Sequence, residues 1–460
     1  MLDFLADNLA LIMFVAMFFV IFSGYPVAFV MGGMALLFAL LGWMLGVFNL
    51  MGLYDIVLRM WGGAAADPVL ASIPMFIFMG SILERSGSAA DMLRATEVLL
   101  KRVPGSLAVA VMVMGTILAA PIGTVGAAVV TLSVIALPQM LNSGYDKRLA
   151  IGTIASAGTL GILLPPAIML VVMAEMLVTS AGALFLAATM PSFVLSGLYL
   201  LYIIAVALLR PDKTPKQPSH LVRLSRGEFF WTVWRGLFPM TALMVIVIGS
   251  IFAGWATPTE SAAVGVFGSF LIAALNGQFT MKMTKEAMWS CCRANGLVFL
   301  VILGATGFSY VFRVLGGDDL MIGMLTKLGI DTGWEMLAFV MVLVFLLGFP
   351  FEWIEICLIV LPVFGPIIAK YDFSAHLGSQ SYLMAWFGTL IAVNLQTAFM
   401  TPPFGATLFY MKGTAPPGVT MTDVYRGMYP FVALQVVGLF LCIYFPSIVL
   451  WLPRLAGFLD

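Results

Sequence analysis

Long apolar runs broken by short polar stretches dominate the chain. The first, "LALIMFVAMFFVIFSGYPVAFVMGGMALLFALLGWMLGVF", exceeds the roughly 20 residues that cross a bilayer as a helix. Such runs predict spans near 5–23, 27–48, 68–84, 149–178 and 182–209, then near 237–254, 258–275, 295–313, 383–412 and 428–452. Two further segments, 105–141 and 334–368, are too long for one simple span and rather short for two. The short alternating segments of a membrane barrel do not occur. The pattern is that of an all-α polytopic membrane protein.

The polar stretch "RPDKTPKQPSHLVRLSRGEFFWTVWR", 210–235, divides the chain into halves 1–209 and 236–460. The halves repeat an order of features. Pro26 and Pro258 open second spans, Pro138 and Pro362 sit late in the long segments, and Pro165–Pro166 answers Pro402–Pro403. A proline in a helix interior removes a donor and clashes with the preceding turn, at about 3 kcal/mol or more. Two such breaks at matching points predict an internal repeat with a broken helix in each half, 149–178 and 383–412.

Composition fixes the solvent and removes several classes of function. Of 460 residues 62% are hydrophobic and 10% charged, with a mean hydropathy of +1.08, against about 25% charged in soluble proteins. The net charge is zero and no basic tract is dense enough for nucleic acid. Cys291, Cys292, Cys357 and Cys442 lack disulfide or zinc spacing, and His220 and His376 stand far apart in sequence. "MLDFLADNLALIMFVAMFFVIF" lacks a basic n-region and reads as a first span, not a removed signal. No Walker loop, hydrolase elbow or HExxH occurs, so neither an ATP motor nor an enzyme is expected.

Charge orients the halves. Arg85, Arg94, Lys101 and Arg102 outweigh Asp91 and Glu97, whereas Asp318, Asp319 and Asp331 outweigh Arg313 and Lys327 in the matching stretch. The positive-inside rule puts 85–102 and the basic 210–235 connector in the cytoplasm and 313–331 outside. Lys147 and Arg148 also belong inside, so 105–141 enters and leaves on one side as a re-entrant hairpin with its tip at "APIGTVGAA". By inversion, 334–368 is a hairpin from the outer side with its tip at "LLGFPFEWIE", and both termini lie outside.

In an inverted repeat, breaks and tips meet near the midplane. Half-helix N-termini there favour anions, and unwound carbonyls take cations. The first tip supplies Gly123, Thr124, Val125 and Gly126, with Thr159, Pro165 and Pro166 at the first break. The second tip supplies Gly348, Pro350, Glu352 and Glu355, with Thr401, Pro402 and Pro403 at the second break. Glu352 and Glu355 serve a site or stabilise the hairpin turn. Asn394, Gln396 and Thr397 bind substrate or ion, or join helices by hydrogen bonds. Glu175 and Glu260, nearer span ends, read as structural.

"APIGTVGAAVVTLSVIALPQMLNSGYDKRLA", "GTLGILLPPAIML", "ATPTESAAVG", "FEWIEICLIVLPVFGPI" and "NLQTAFMTPPFGATLFYMKG" resemble the large membrane subunit of tripartite ATP-independent periplasmic (TRAP) transporters. The resemblance spans nearly the whole chain. Its "GTVG" and "WIE" forms and long central loop are similar to the mannitol/chloroaromatic-type branch. Thr131 stands where other branches follow the first tip with an aspartate, and Pro350 and Glu352 replace an expected bulkier apolar residue and an aspartate. The resemblance implies an elevator-type, sodium-driven importer of organic acids in the bacterial inner membrane. It implies sodium held by backbone carbonyls near Gly123, Gly126, Pro165, Gly348, Thr401 and Pro402, and no other cofactor. It also implies two partners, a small four-helix membrane subunit and a periplasmic substrate-binding protein. The alternative is a stand-alone sodium-coupled carboxylate symporter or exchanger that needs no binding protein.

Overall fold

The computed structural model describes residues 2–215 and 225–458, and the described residues form helices and connecting turns with no strand. Lys216, His220 and Arg223 of the expected connector lie outside the described residues. Among the described residues eight helices are long and apolar enough to cross a membrane, including Val27–Met44, Ala181–Leu209, Met281–Val314 and Met421–Tyr444.

Both re-entrant hairpins are present. The first pairs Ser106–Ile122 with Val125–Asn142, and the second pairs Gly333–Leu347 with Trp353–Ile368. Each broken helix follows its hairpin. The first runs Lys147–Thr159, a 3₁₀ turn Leu160–Ile162, then Ile168–Met176; the second runs Leu383–Met400, then Ala406–Thr414. The fold is all-α and polytopic, with two inverted repeats each carrying a hairpin and a broken helix, an elevator-type ion-transporter fold.

Several boundaries differ from the sequence reading, each for a local reason. The span expected at 237–254 is Arg226–Phe252 and starts inside the stretch read as connector. Ser225 and Glu228 form a capping box there, Glu228 N–H donating to Ser225 Oγ (3.2 Å) and Ser225 N–H to Glu228 Oε2 (2.9 Å). The span expected at 295–313 is one 34-residue helix, Met281–Val314, capped by Thr280. At 1.5 Å per residue it is roughly 50 Å long, well beyond the ~30 Å of hydrocarbon that hydropathy senses. Its first turns carry Lys282, Lys285, Glu286 and Arg293 and were therefore invisible as a span. The span expected at 428–452 divides at Phe445 into Met421–Tyr444 and Pro446–Leu455. Ser88–Leu99 and Gly317–Lys327, helices just ahead of the hairpins, were not anticipated, nor was Gly52–Met60.

The helices sort into two bodies. Val27–Met44, Ser72–Arg85, Arg226–Phe252, Pro258–Leu275 and Met281–Val314 pack on one another. The hairpins, the broken helices, Ala181–Leu209 and Met421–Tyr444 form the other body. Burial marks the centre. The apolar window of Gln380–Met400 is 94% buried, against 33% in Arg226–Phe252, Pro258–Leu275 and Ala181–Leu209, so the second broken helix is central and long helices of both bodies lie at the periphery.

Small residues set the closest crossings, as expected where lipid is as apolar as the helix surface. Gly152 of the first broken helix meets Gly427 of Met421–Tyr444, and a Cβ on Gly152 would lie 2.3 Å from the Gly427 carbonyl and 2.5 Å from the Phe431 ring. Gly152→Ala therefore forces a backbone shift, costing about 1–3 kcal/mol. Its thermal midpoint in detergent should fall, while Gly197→Ala, with nothing within 4 Å of the added methyl, should hold or rise. Equal midpoints for wild type and Gly152→Ala would contradict this crossing.

Candidate transport site

Each tip is a short turn between two arms. At the first, Gly123 has φ +70° and Thr124 is extended, after which Val125 starts the second arm. An L side chain is disfavoured at that φ, and a Cβ would also stand 2.6 Å from Ile168 Cδ1, where the first broken helix resumes. At the second tip Gly348 is buried, and a Cβ there would lie 2.3 Å from Ala398 Cβ of the second broken helix. Each tip is thus docked on the broken helix of its own repeat.

The breaks follow from missing donors. In a continuous helix residues 165 and 166 would donate to Gly161 and Ile162, and residue 403 to Phe399. Proline has nothing to give. Among the described residues, no backbone donor reaches the carbonyls of Gly161, Ile162, Phe399, Pro402 or Pro403. Both Pro–Pro bonds are cis. The first break is buried throughout, whereas Pro403 and Phe404 of the second are exposed.

Three helix N-termini converge between the tips. Thr124, Val125 and Gly126 start one arm, Glu352 and Trp353 another, and Ala406 the second half of the second broken helix. With Phe399 and Tyr410 they line a pocket of about 50 Å³. Helix N-termini carry partial positive charge and N–H groups that suit an anion, and at the second tip the Glu352 carboxylate itself takes that place in a capping box with Glu355. The Tyr410 hydroxyl donates to Glu352 Oε1 (3.2 Å), and its ring lies 3.0 Å from where a Gly126 Cβ would be. Tyr410 joins the two tips and was missed in the sequence. Its one signal was a polar aromatic a single turn beyond the restart of the helix.

The remaining expected site residues go elsewhere. Glu355 Oε2 accepts from Glu352 N–H (3.2 Å) and so caps the second arm. Pro350 is exposed. Asn394 Nδ2 donates to the Met341 carbonyl of the second hairpin (2.6 Å), and Thr397 Oγ1 to the Val393 carbonyl (3.1 Å). Thr401 Oγ1 donates to the Thr397 carbonyl (2.7 Å). Gln396 Nε2 donates to Thr159 Oγ1 (3.3 Å), a buried bond between the repeats. Thr159, Gln396 and Asn394 lie outside the pocket lining. Glu260 caps its own helix through Thr257 N–H (2.8 Å).

No cluster of three or more His, Cys, Asp or Glu side chains suits a metal among the described residues. The donors on offer are oxygens, mostly backbone carbonyls. That set fits a hard monovalent or alkaline-earth cation and not a soft transition metal.

The fold, two inverted repeats each with a hairpin and a broken helix, is that of an elevator-type membrane transporter. The pattern of one protein family, described as "Tripartite ATP-independent periplasmic transporter, DctM component", matches residues 14–448. The chain belongs to this family of large permeases, one component of a tripartite transporter and not an enzyme. It is 29% identical to the C4-dicarboxylate TRAP transporter large permease protein DctM of Pseudomonas aeruginosa, over 84% of this chain and 87% of that protein. It is 28% identical to the ectoine/5-hydroxyectoine TRAP transporter large permease protein UehC of Ruegeria pomeroyi, over 84% of this chain and 86% of that protein. Among solved structures, the Alcanivorax borkumensis YdaH transporter superposes with a TM-score of 0.59 at 15% identity, covering 89% of this chain and 90% of that one.

If Tyr410 holds the two tips in register, Tyr410→Phe should raise KM for substrate several-fold in proteoliposome uptake while the thermal midpoint moves little. A single exposed phenol–carboxylate bond contributes only about 0.5–1.5 kcal/mol to folding. An unchanged KM would remove Tyr410 from the site.

Proposed function

We propose that the chain is the permease of a sodium-driven importer that carries small organic acids across the bacterial inner membrane. It works with a small four-helix membrane subunit and a periplasmic substrate-binding protein. The convergence of three helix N-termini between the tips carries this reading, because their backbone N–H groups can meet an anion while Glu352, the one charged side chain in the lining, is held by the Tyr410 hydroxyl. Relatives named for C4-dicarboxylates and ectoines bear carboxylate chemistry and support the substrate class.

Coupling sodium ions take backbone carbonyls near Gly123, Gly126 and Pro165 at the first break, and near Gly348, Thr401 and Pro402 at the second, where the Thr401 carbonyl itself already accepts from Gly405 N–H (3.1 Å). Sodium at these places cancels charge brought in by the carboxylate. The same ions tie tip to broken helix, so each hairpin closes when the site is loaded. Both termini face the periplasm and the 85–102 and 210–235 stretches the cytoplasm, as their basic residues require. The repeats divide at 210–235, with the described end of that stretch already helical. The body of hairpins and broken helices slides as a unit against the other. The stand-alone symporter reading is less favoured, since the family is tripartite.

The chain should be reconstituted with its small subunit in liposomes, and organic-acid uptake measured with the binding protein supplied outside. An inward sodium gradient should drive accumulation, and replacing sodium by potassium or omitting the binding protein should abolish it. Uptake unchanged in potassium would sink the coupling.

A further inference from the structure

An apolar groove of about 290 Å³ runs along the seam between the two bodies, on the side of the second hairpin. One wall is Leu9–Phe22, which packs on Val27–Met44 and Met281–Val314 of the first body. It contributes a single helical stripe: Leu11, Phe14, Val15, Phe18, Phe19 and Phe22. The other wall is Phe339 and Leu343 from one arm of the hairpin, Phe364 from the second arm, and Met321 and Met324 of Gly317–Lys327. At its deep end Phe18 and Phe22 meet Phe351 beside the second tip, with ring centroids 6.3 and 5.6 Å away.

Every lining side chain is hydrocarbon or thioether, so water in the groove would find no side-chain hydrogen-bond partner. Left unfilled, it would forfeit the dispersion contacts of both walls. The groove is continuous with the lipid-facing surface of the protein. Val15, Phe19 and Phe22 are exposed along one edge, and Val342 and Leu346 beside the other. Its length is that of one leaflet. From Leu11 to Phe22 the helix rises roughly 16 Å, about half of the ~30 Å hydrocarbon core. A helix of another subunit, about 10–12 Å across, would need several times this volume over the same length. Met321 and Met324 are flexible enough to follow a chain that has no fixed shape.

We propose that the groove binds one acyl chain of a phospholipid, which on the proposed topology enters from the outer leaflet and ends against Phe351. A hydrocarbon chain packs on both walls without a hydrogen bond to either. It therefore seals the seam beside the second hairpin and leaves the two bodies unlinked. The site is independent of sodium coupling and of the substrate's identity.

The full chain with its small subunit is placed in phosphatidylcholine nanodiscs containing a trace of phosphatidylcholine with a diazirine on one acyl chain. After illumination, adducts are located by peptide mass spectrometry, with adducts elsewhere on the chain as the internal standard. Phe14 and Met321 line the groove but are only 8% and 3% exposed, so adducts on them report a chain inside it. Such adducts should form. Leu343→Trp, which fills the groove, should cut them several-fold, and Leu11→Trp should do the same from the opposite wall. A diazirine near the ester should mark Met321, and one at the chain end Phe18 and Phe351. The reverse order would overturn entry from the outer leaflet. No adduct on Phe14 or Met321, or adducts indifferent to both substitutions, would overturn the site. Adducts that form only when the small subunit is left out would overturn the lipid as its occupant in favour of that subunit.

Discussion

A backbone carbonyl inside a bilayer has no water to turn to, so one that loses its helical donor must be matched by protein or by an ion. Pro165–Pro166 and Pro402–Pro403 impose that condition twice. The rest of the second body is arranged around it. Gly123 lets the first tip come down on Ile168, and Gly348 lets the second come against Ala398. Each freed set of carbonyls is therefore flanked by a tip of the same repeat. Fully packed helices would have left no place for a cation, and unpaired breaks facing lipid would have been too costly to keep.

The same constraint separates the two bodies. Long helices such as Met281–Val314 satisfy every backbone group internally and need no neighbour for that purpose. They can face lipid on one side and offer a smooth wall on the other. The broken elements cannot, and the second of them is almost wholly enclosed. Enclosure of the broken parts within continuous ones is what a body that slides as a unit requires. A buried Gln396–Thr159 hydrogen bond joins the two broken helices across the repeats.

Much of this was legible because it is local. Chain length and hydropathy bounded the hairpins to within a residue or so: 105–141 against Ser106–Asn142, and 334–368 against Gly333–Ile368. The doubled prolines located both breaks, since a missing donor is written in the residue itself. The polar start of Met281–Val314 was not legible, because hydropathy measures the hydrocarbon span and not the helix. Capping at Ser225 and Thr280 carried that information and went unread. The fate of individual polar groups was also hidden. Asn394, Gln396 and Thr397 lie on one helix within four residues, yet one reaches Met341, one Thr159 and one its own backbone. Only the packing of distant segments decides among such partners, and Tyr410 entered the site by the same route.

The account stands on the prolines freeing carbonyls for sodium and not merely bending helices. Sodium affinity can be read without knowing the substrate, from the rise in thermal midpoint as sodium replaces potassium. Replacing Pro165 and Pro166, or Pro402 and Pro403, by Ala-Leu would let i→i−4 bonds reclaim the carbonyls. Intrinsic stability in potassium should hold or rise, while the sodium concentration for half the effect should increase by roughly tenfold for each 1.4 kcal/mol of binding lost. Folded variants with undiminished sodium stabilisation would contradict the account and leave the double prolines as kinks.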